Sequence, residues 1–235
     1  MPKPIYSINK LEITNNNANR LYIKQFDIHR GACYVFEGKM GCGKTTFLKT
    51  LYSNNRTYKG KIQFEGEDIS MYSKTEYFNQ IAVVPQIVNL PWIDIKVDKY
   101  LYNVLSKYQQ IRKPSKRLED ICKKMQLTNF LERKIKSLTP CELRWVVLAA
   151  QICTDSKVLF IDEYEQHLGK DNIKKLNNIL YRKINYDGTT LIVSTQNKEL
   201  LNRLASVVIT LENGRITGLR SSGRKKESNK NRNTK

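Results

Sequence analysis

Gly38-Lys39-Met40-Gly41-Cys42-Gly43-Lys44-Thr45-Thr46 fits the pattern GxxxxGK[ST], and its two flanks decide how it is read. Before it, Ala32-Cys33-Tyr34-Val35-Phe36-Glu37 is an apolar run of β type; after it, Thr46-Phe47-Leu48-Lys49-Thr50-Leu51 has helical spacing. Strand, glycine turn and helix in that order make a phosphate loop. The glycines let successive backbone N–H groups turn inward, and the helix that follows adds its unpaired N–H groups and the positive end of its dipole. Lys44 is placed to reach the outer phosphates of a nucleotide. The Thr45 hydroxyl suits Mg²⁺, a hard cation that keeps several waters.

Outward from this loop, the 235-residue chain is long enough for one large domain or a domain with a subdomain. No apolar run approaches the ~20 residues of a membrane helix. The start, Met1-Pro2-Lys3-Pro4, has no apolar export segment, so a cytoplasmic chain is expected. Five cysteines without a CxxC pair argue against a disulfide framework or a zinc ribbon, and two histidines are too few for a histidine metal site. The formal charge is +19, and seven basic residues stand against one acid between Arg220 and Lys235. Residues 219–235 are therefore expected to be a disordered basic tail. It suits anionic lipid head groups, at about 1 kcal/mol per basic residue near a surface, or free solution, in preference to nucleic acid.

Along the chain, strands are expected at Lys10 to Thr14, Arg20 to His29, Tyr58 to Gly66 and Gln80 to Gln86. From Lys96 to Lys136 the spacing becomes helical, with Pro114 opening a second helix, so a helical insert interrupts an α/β chain. Val158-Leu159-Phe160-Ile161-Asp162-Glu163 is a fully apolar strand ending in two carboxylates, as in a parallel sheet covered on both faces. Asp162 is the candidate for holding Mg²⁺ and Glu163 for orienting and deprotonating a water. Strands at Thr190 to Ser194 and Ser206 to Leu211 close the chain.

This series resembles the ATP-binding cassette (ABC) ATPases over residues 8 to 218. The phosphate loop, the Val84-Pro85-Gln86 segment, the stretch Leu138-Thr139-Pro140-Cys141-Glu142 and the Asp162-Glu163 pair carry the resemblance, and Leu138 precedes Asp162 by 24 positions as in the family. The resemblance implies a P-loop NTPase fold over 1–218, with a mixed sheet core, an N-terminal antiparallel β part and a helical subdomain at about 87–150. It also implies ATP and Mg²⁺ as ligands and a head-to-tail dimer, with itself or another ATPase subunit. In that dimer the signature Leu138 to Glu142 faces the partner's phosphate loop. Gln86 is implied to sense Mg²⁺ and water and to link the insert to an integral membrane subunit. Gln196 stands at the family's switch position, a catalytic one, where it is implied to donate to the γ-phosphate. The chain is accordingly expected on the cytoplasmic face of the membrane.

Departures from the family pattern accompany the matches. Pro140 replaces a glycine and removes an N–H, Gln196 replaces the switch histidine, and Gly169 replaces an aspartate. The adenine-stacking aromatic position falls near Asn16 or Asn17. Retained ATP binding with slow or partner-dependent turnover is expected. In a head-to-tail dimer Cys42 would lie near Cys141 of the other subunit. Within the family, Gly43 to Tyr52 and Glu142 look like the FtsE group of cell-division ATPases, which work through the membrane protein FtsX. Lipid, lipoprotein and small-molecule transporter ATPases, and a nucleotide-gated scaffold without turnover, are the alternatives.

Overall fold

The structure is a computed structural model that describes residues 3–14, 20–53 and 57–221. Its centre is a six-stranded sheet in the order β10-β9-β3-β8-β7-β6. β3 (Cys33–Glu37) lies between β8 (Thr190–Thr195) and β9 (Val207–Glu212), and β7 (Val158–Ile161) lies between β8 and β6 (Ile81–Val84). These five strands are parallel, and β10 (Arg215–Ser221) adds an antiparallel edge. The apolar runs are continuous because each face of the sheet meets its own core. Cys33, Val35, Leu159 and Ile161 face the helical core, while Tyr34, Phe36, Val158 and Phe160 face the other. A half-exposed sheet would have alternated apolar with polar residues.

The second core is closed by a four-stranded antiparallel sheet, β2-β1-β4-β5, formed by β1 (Tyr6–Thr14), β2 (Arg20–Ile28), β4 (Lys59–Phe64) and β5 (Glu67–Asp68). Between the sheets runs α1 (Lys44–Tyr52), whose Phe47 ring packs 4.6 Å from Phe36, centroid to centroid. Strand β1 starts four residues before the expected Lys10. Its buried residues are Tyr6 and Ile8, then Leu11 and Ile13, so the inward phase slips by one residue at Lys10. Lys10 has φ +51, and the pairing with β4 shifts register between Asn9 and Glu12. This bulge hides the first half of the strand from a strict two-residue period.

The helical core gathers α3 (Val97–Leu105), α4 (Pro114–Met125), α5 (Pro140–Ile152) and α6 (Lys170–Tyr186). Pro114 opens α4 as expected, at a position whose N–H has no helical partner. Two helices were not among the expected elements. One is α6, which buries Ile173, Leu176, Leu180 and Ile184 at spacings of three and four. The other is α2 (Lys74–Gln80), opened by a Ser73/Glu76 capping box and anchored by the buried Tyr77, whose hydroxyl donates to Leu51 O at 2.6 Å.

β10 corrects the expected tail boundary. Leu219, Arg220 and Ser221 pair with Ile209, Val208 and Val207. Antiparallel pairing satisfies the backbone at a sheet edge whatever the side chains carry, so basic composition did not mark the end of the fold. Residues 222–235 lie outside the described residues. Among the described residues no helix is long and apolar enough to cross a membrane.

Parallel strands place their C-terminal ends on one edge of the sheet, where α/β proteins bind ligands. Glu37 pairs with Thr195 and Ile161 with Val193. The phosphate loop, Asp162-Glu163 and Gln196 therefore leave the sheet side by side.

Candidate functional site

The phosphate loop holds its shape through backbone conformations that side chains resist. Gly38 has φ +154, and a Cβ there would stand 2.4 Å from Leu211 O and 2.6 Å from Cys42 Sγ. Gly43, at φ +109, is the N-cap of α1 and offers no side-chain cap, so the first-turn N–H groups of Lys44, Thr45 and Thr46 are left for an outside acceptor. Lys44 is 4% exposed. Its Nζ donates to Gly38 O at 2.7 Å and Lys39 O at 3.2 Å, and lies 3.9 Å from Glu163 Oε1. The ammonium is thus stored across the mouth of the loop by weak acceptors that an anionic phosphate oxygen outcompetes.

Asp162 sits fully buried behind Thr45. Its Oδ1 accepts from Thr45 Oγ1 at 3.1 Å and from Ser194 Oγ at 2.6 Å. Its Oδ2 is buried with no hydrogen-bond partner among the described residues. An orphaned anionic oxygen beside a threonine hydroxyl is a donor set that suits a hard cation such as Mg²⁺.

Glu163 is held in the left-handed region at φ +52, which costs about 1–2 kcal/mol for a residue with a Cβ. Both of its backbone polar groups are tied down: the N–H donates to Ser194 Oγ at 2.7 Å and the carbonyl accepts from Arg144 Nη2 at 2.9 Å. The same guanidinium donates to Asp162 O and Pro85 O, each at 2.7 Å. Arg144 is almost completely buried, and burial pushes its pKa down to about 10, so it stays cationic at neutral pH. It connects the signature helix α5 to the residue preceding Gln86 and to both acid positions. The Glu163 carboxylate accepts from Gln196 Nε2 at 3.2 Å. Gln196 N donates to Glu165 Oε1 at 2.8 Å, and that carboxylate's Oε2 also accepts from Thr195 Oγ1 at 2.8 Å.

These groups open onto a cleft of about 450 Å³. Of the expected site residues, Met40 to Thr46, Gln86, Glu163 and Gln196 line it. Gly38 and Lys39 contribute carbonyls to Lys44, and Asp162 stands behind Thr45. Leu21, Asn213 and Gly214 line it as well, and nothing in the local sequence marked them. Asn213 and Gly214 both have positive φ, as in the tight turns that join hairpin strands, and Gly214 N donates to Cys42 O at 2.9 Å. Asn16 and Asn17, the expected adenine-side positions, lie outside the described residues.

The signature stretch Leu138 to Glu142 does not line the cleft of its own chain. Thr139 caps α5 and Pro140 occupies its first turn. The Thr139 hydroxyl accepts from Glu142 N at 3.4 Å and donates to Glu142 Oε2 at 2.9 Å, while Glu142 Oε2 accepts from Thr139 N at 2.8 Å. Arg133 Nη1 donates to Glu142 Oε1 at 2.7 Å. That pairing first, and the Thr139 N–H second, lower the Glu142 carboxyl to about 2. The Thr139 hydroxyl is therefore engaged within its own helix cap. All five cysteines are free thiols, and Cys141 Sγ lies 3.8 Å from Asn172 Nδ2.

The chain is 27% identical over 216 residues to the cell division ATP-binding protein FtsE of Streptococcus pneumoniae D39, covering 89% of this chain and 92% of the relative. It is 29% identical over 203 residues to FtsE of Bacillus subtilis, covering 83% and 87%. Among solved structures, an ATP-binding subunit of an ABC transporter superposes with a TM-score of 0.83 at 18% identity, covering 92% and 90%. A dimeric ATP-binding cassette bound to ADP and Pi superposes at 0.80, also at 18% identity, covering 92% and 98%. The ABC transporter family profile matches residues 23–166, more than half of the chain, and with Lys44, Thr45, Asp162 and Glu163 gathered at one cleft, the chain belongs to that family of ATP-binding ATPase subunits.

Proposed function

We propose that this chain is an FtsE-like ATPase subunit that binds Mg·ATP in the cleft at the sheet edge, turns it over slowly, and drives or gates an integral membrane partner. One observation carries the reading: Lys44, Thr45, Asp162, Glu163 and Gln86 converge from three separate stretches of the chain on one edge of a parallel sheet. On nucleotide binding, Lys44 Nζ exchanges the Gly38 and Lys39 carbonyls for phosphate oxygens. Thr45 Oγ1 and the free Asp162 Oδ2 are the groups that would hold Mg²⁺. When bound, that ion neutralises charge on the phosphates. Glu163, fixed by Ser194 and Arg144, accepts the proton of the attacking water, and Gln196 orients that carboxylate.

Slow turnover follows from two departures. Gln196 remains neutral where a histidine could become cationic. The α5 N-terminus consumes its own donors: Pro140 has no N–H, and the Glu142 N–H and the Thr139 hydroxyl go to the cap. Across a head-to-tail dimer, few donors remain to meet phosphate. These features also favour a second reading, a nucleotide-gated scaffold without significant turnover.

The membrane partner is supported by the segment after Gln86. Ile87, Trp92 and Ile93 are 75%, 95% and 76% exposed. The segment is pinned instead through polar contacts: Lys136 Nζ donates to Trp92 O at 2.6 Å and Lys134 Nζ to Asp94 O at 3.1 Å. A fixed backbone that presents unburied apolar side chains beside Gln86 suits a helix of an FtsX-like subunit or a transporter permease. Peripheral placement on the cytoplasmic face, with the basic tail near anionic lipid, belongs to the same proposal.

Glu163→Gln tests the chemistry. It should abolish steady-state phosphate release while leaving Mg·ATP affinity within about threefold, since the substitution keeps the shape and removes only the base. Hydrolysis by the parent chain as fast as by an intact family member would exclude slow turnover. A membrane protein that co-purifies with the parent but not with Trp92→Asp separates a membrane-driving subunit from a free scaffold.

A further inference from the structure

A second cleft of about 1040 Å³ shares no lining residue with the first. It lies between one face of α4 and one face of α6. Lys116, Ile121 and Lys124 come from the former, and Ile179, Arg182 and Lys183 from the latter. Its size is that of the larger small-molecule sites, at the upper end of ~300–1,000 Å³. Ile111, Ile121 and Ile152, each almost completely buried, form an apolar floor, and the exposed Tyr186 forms part of one wall.

Charge around this floor is one-sided. Arg112, Lys113, Lys116, Lys124 and Arg182 are exposed, and among the described residues none pairs with a carboxylate. Two of the three acids at the cleft are already engaged, Asp155 by Arg117 at 2.5 Å and Asp187 by Lys183 at 3.6 Å. Lys183 is 6% exposed and its Nζ donates to Thr154 O at 2.9 Å. Burial lowers its pKa, so a neighbouring anion would favour its charged form. A basic chain carries scattered cations as a matter of course. Here five cations without an ion-pair partner, with Asp120 the one remaining acid, surround a concave surface whose exposed apolar area comes from Tyr186 and the half-buried Ile179, above the buried isoleucines. An occupant complementary to this surface is anionic at its ends and apolar in its body.

We propose that the α4–α6 groove is a binding site, separate from the nucleotide cleft, for an organic anion with an apolar or aromatic body bearing phosphate or sulfonate groups. Such a molecule is either a soluble metabolite or a lipid head group with its adjoining chain, and the site recognises the chemistry the two share.

The probe is 8-anilinonaphthalene-1-sulfonate, an aromatic body with one sulfonate, titrated by fluorescence into the full chain. One saturable site is expected, unaffected by saturating Mg·ATP and retained in Lys44→Ala. Lys116→Glu/Arg182→Glu should weaken it about tenfold or more, as expected for two lost charge-assisted contacts. Lys24→Glu/Lys74→Glu, which changes net charge equally at exposed positions outside the groove, should not. Lys116→Gln/Arg182→Gln repeats the test with less repulsion should the first variant fold poorly. Vesicles of phosphatidic acid and inorganic pyrophosphate then identify the source. Loss of vesicle binding confined to the groove variants assigns a lipid head group. Unchanged vesicle binding with lost pyrophosphate competition assigns a soluble anion. Displacement by Mg·ATP, or equal weakening by the two glutamate pairs, overturns the proposal.

Discussion

Lys44 and Arg144 are both buried cations with opposite tasks. The Lys44 ammonium is held by two neutral carbonyls and a carboxylate 3.9 Å away, partners that a triphosphate replaces. Lys44→Ala should therefore weaken Mg·ATP binding by one to two orders of magnitude, about 1.5–3 kcal/mol, measured by calorimetric titration. Arg144 gives its guanidinium to three carbonyls, at Pro85, Asp162 and Glu163, the last of which also accepts from Gln166 N at 3.1 Å. Arg144→Ala removes this shared donor and leaves the buried Asp162 carbonyl without it, and should cost about 3 kcal/mol in urea denaturation. It also frees Glu163 from its strained φ. Turnover should therefore fall more steeply than nucleotide affinity, and a fall in both together would assign Arg144 to stability alone.

At the scale of elements, α5 is the one whose end has been rebuilt. Thr139, Pro140 and Glu142 close its N-terminus on itself. Thr139→Ala should destabilise the chain by about 1 kcal/mol, the usual worth of an N-cap, read from the thermal or urea midpoint. The Glu142 carboxyl is lowered in the folded state from 4.5 to about 2, chiefly by Arg133. A depressed carboxyl stabilises the fold above its unfolded pKa. Its contribution is thus complete above about pH 4.5 and lost as pH falls toward 2. Arg133→Gln should flatten that limb of the stability profile. Strand β1 belongs to the same scale: its alternation is legible only in halves, because the bulge at Lys10 changes which parity faces the core.

For the whole molecule, the separation of the signature from its own cleft is the consequential fact. Leu138 to Glu142 and the phosphate loop share no cavity within one chain, which is the arrangement a head-to-tail dimer completes. Glu163→Gln with Mg·ATP should elute from gel filtration as a dimer, with itself or with a companion ATPase subunit, and the nucleotide-free chain as a monomer. Mild oxidation of that dimer tests whether Cys42, buried within the single chain, comes within reach of Cys141 of the other subunit. A crosslink that Cys141→Ser abolishes would support the pairing of these two thiols, and its absence in every nucleotide state would argue against it.

By itself the sequence determined whatever depends on contiguous residues: the phosphate loop between its strand and helix, the apolar strand ending in Asp162-Glu163, and the proline that opens α4. These are set by local backbone conformation and by burial on both faces of a sheet, and both leave periodic marks in the chain. Only the tertiary structure decided the rest. Ser194 and Arg144 are polar residues whose importance comes from partners on other elements. Leu21 and the Asn213-Gly214 turn line the cleft because two sheets bring them there, and β10 is a strand because β9 supplies its hydrogen bonds. The α4–α6 groove likewise arises from two helix faces separated by some sixty positions in the chain, and no local rule reports what stands opposite across a space that only folding creates.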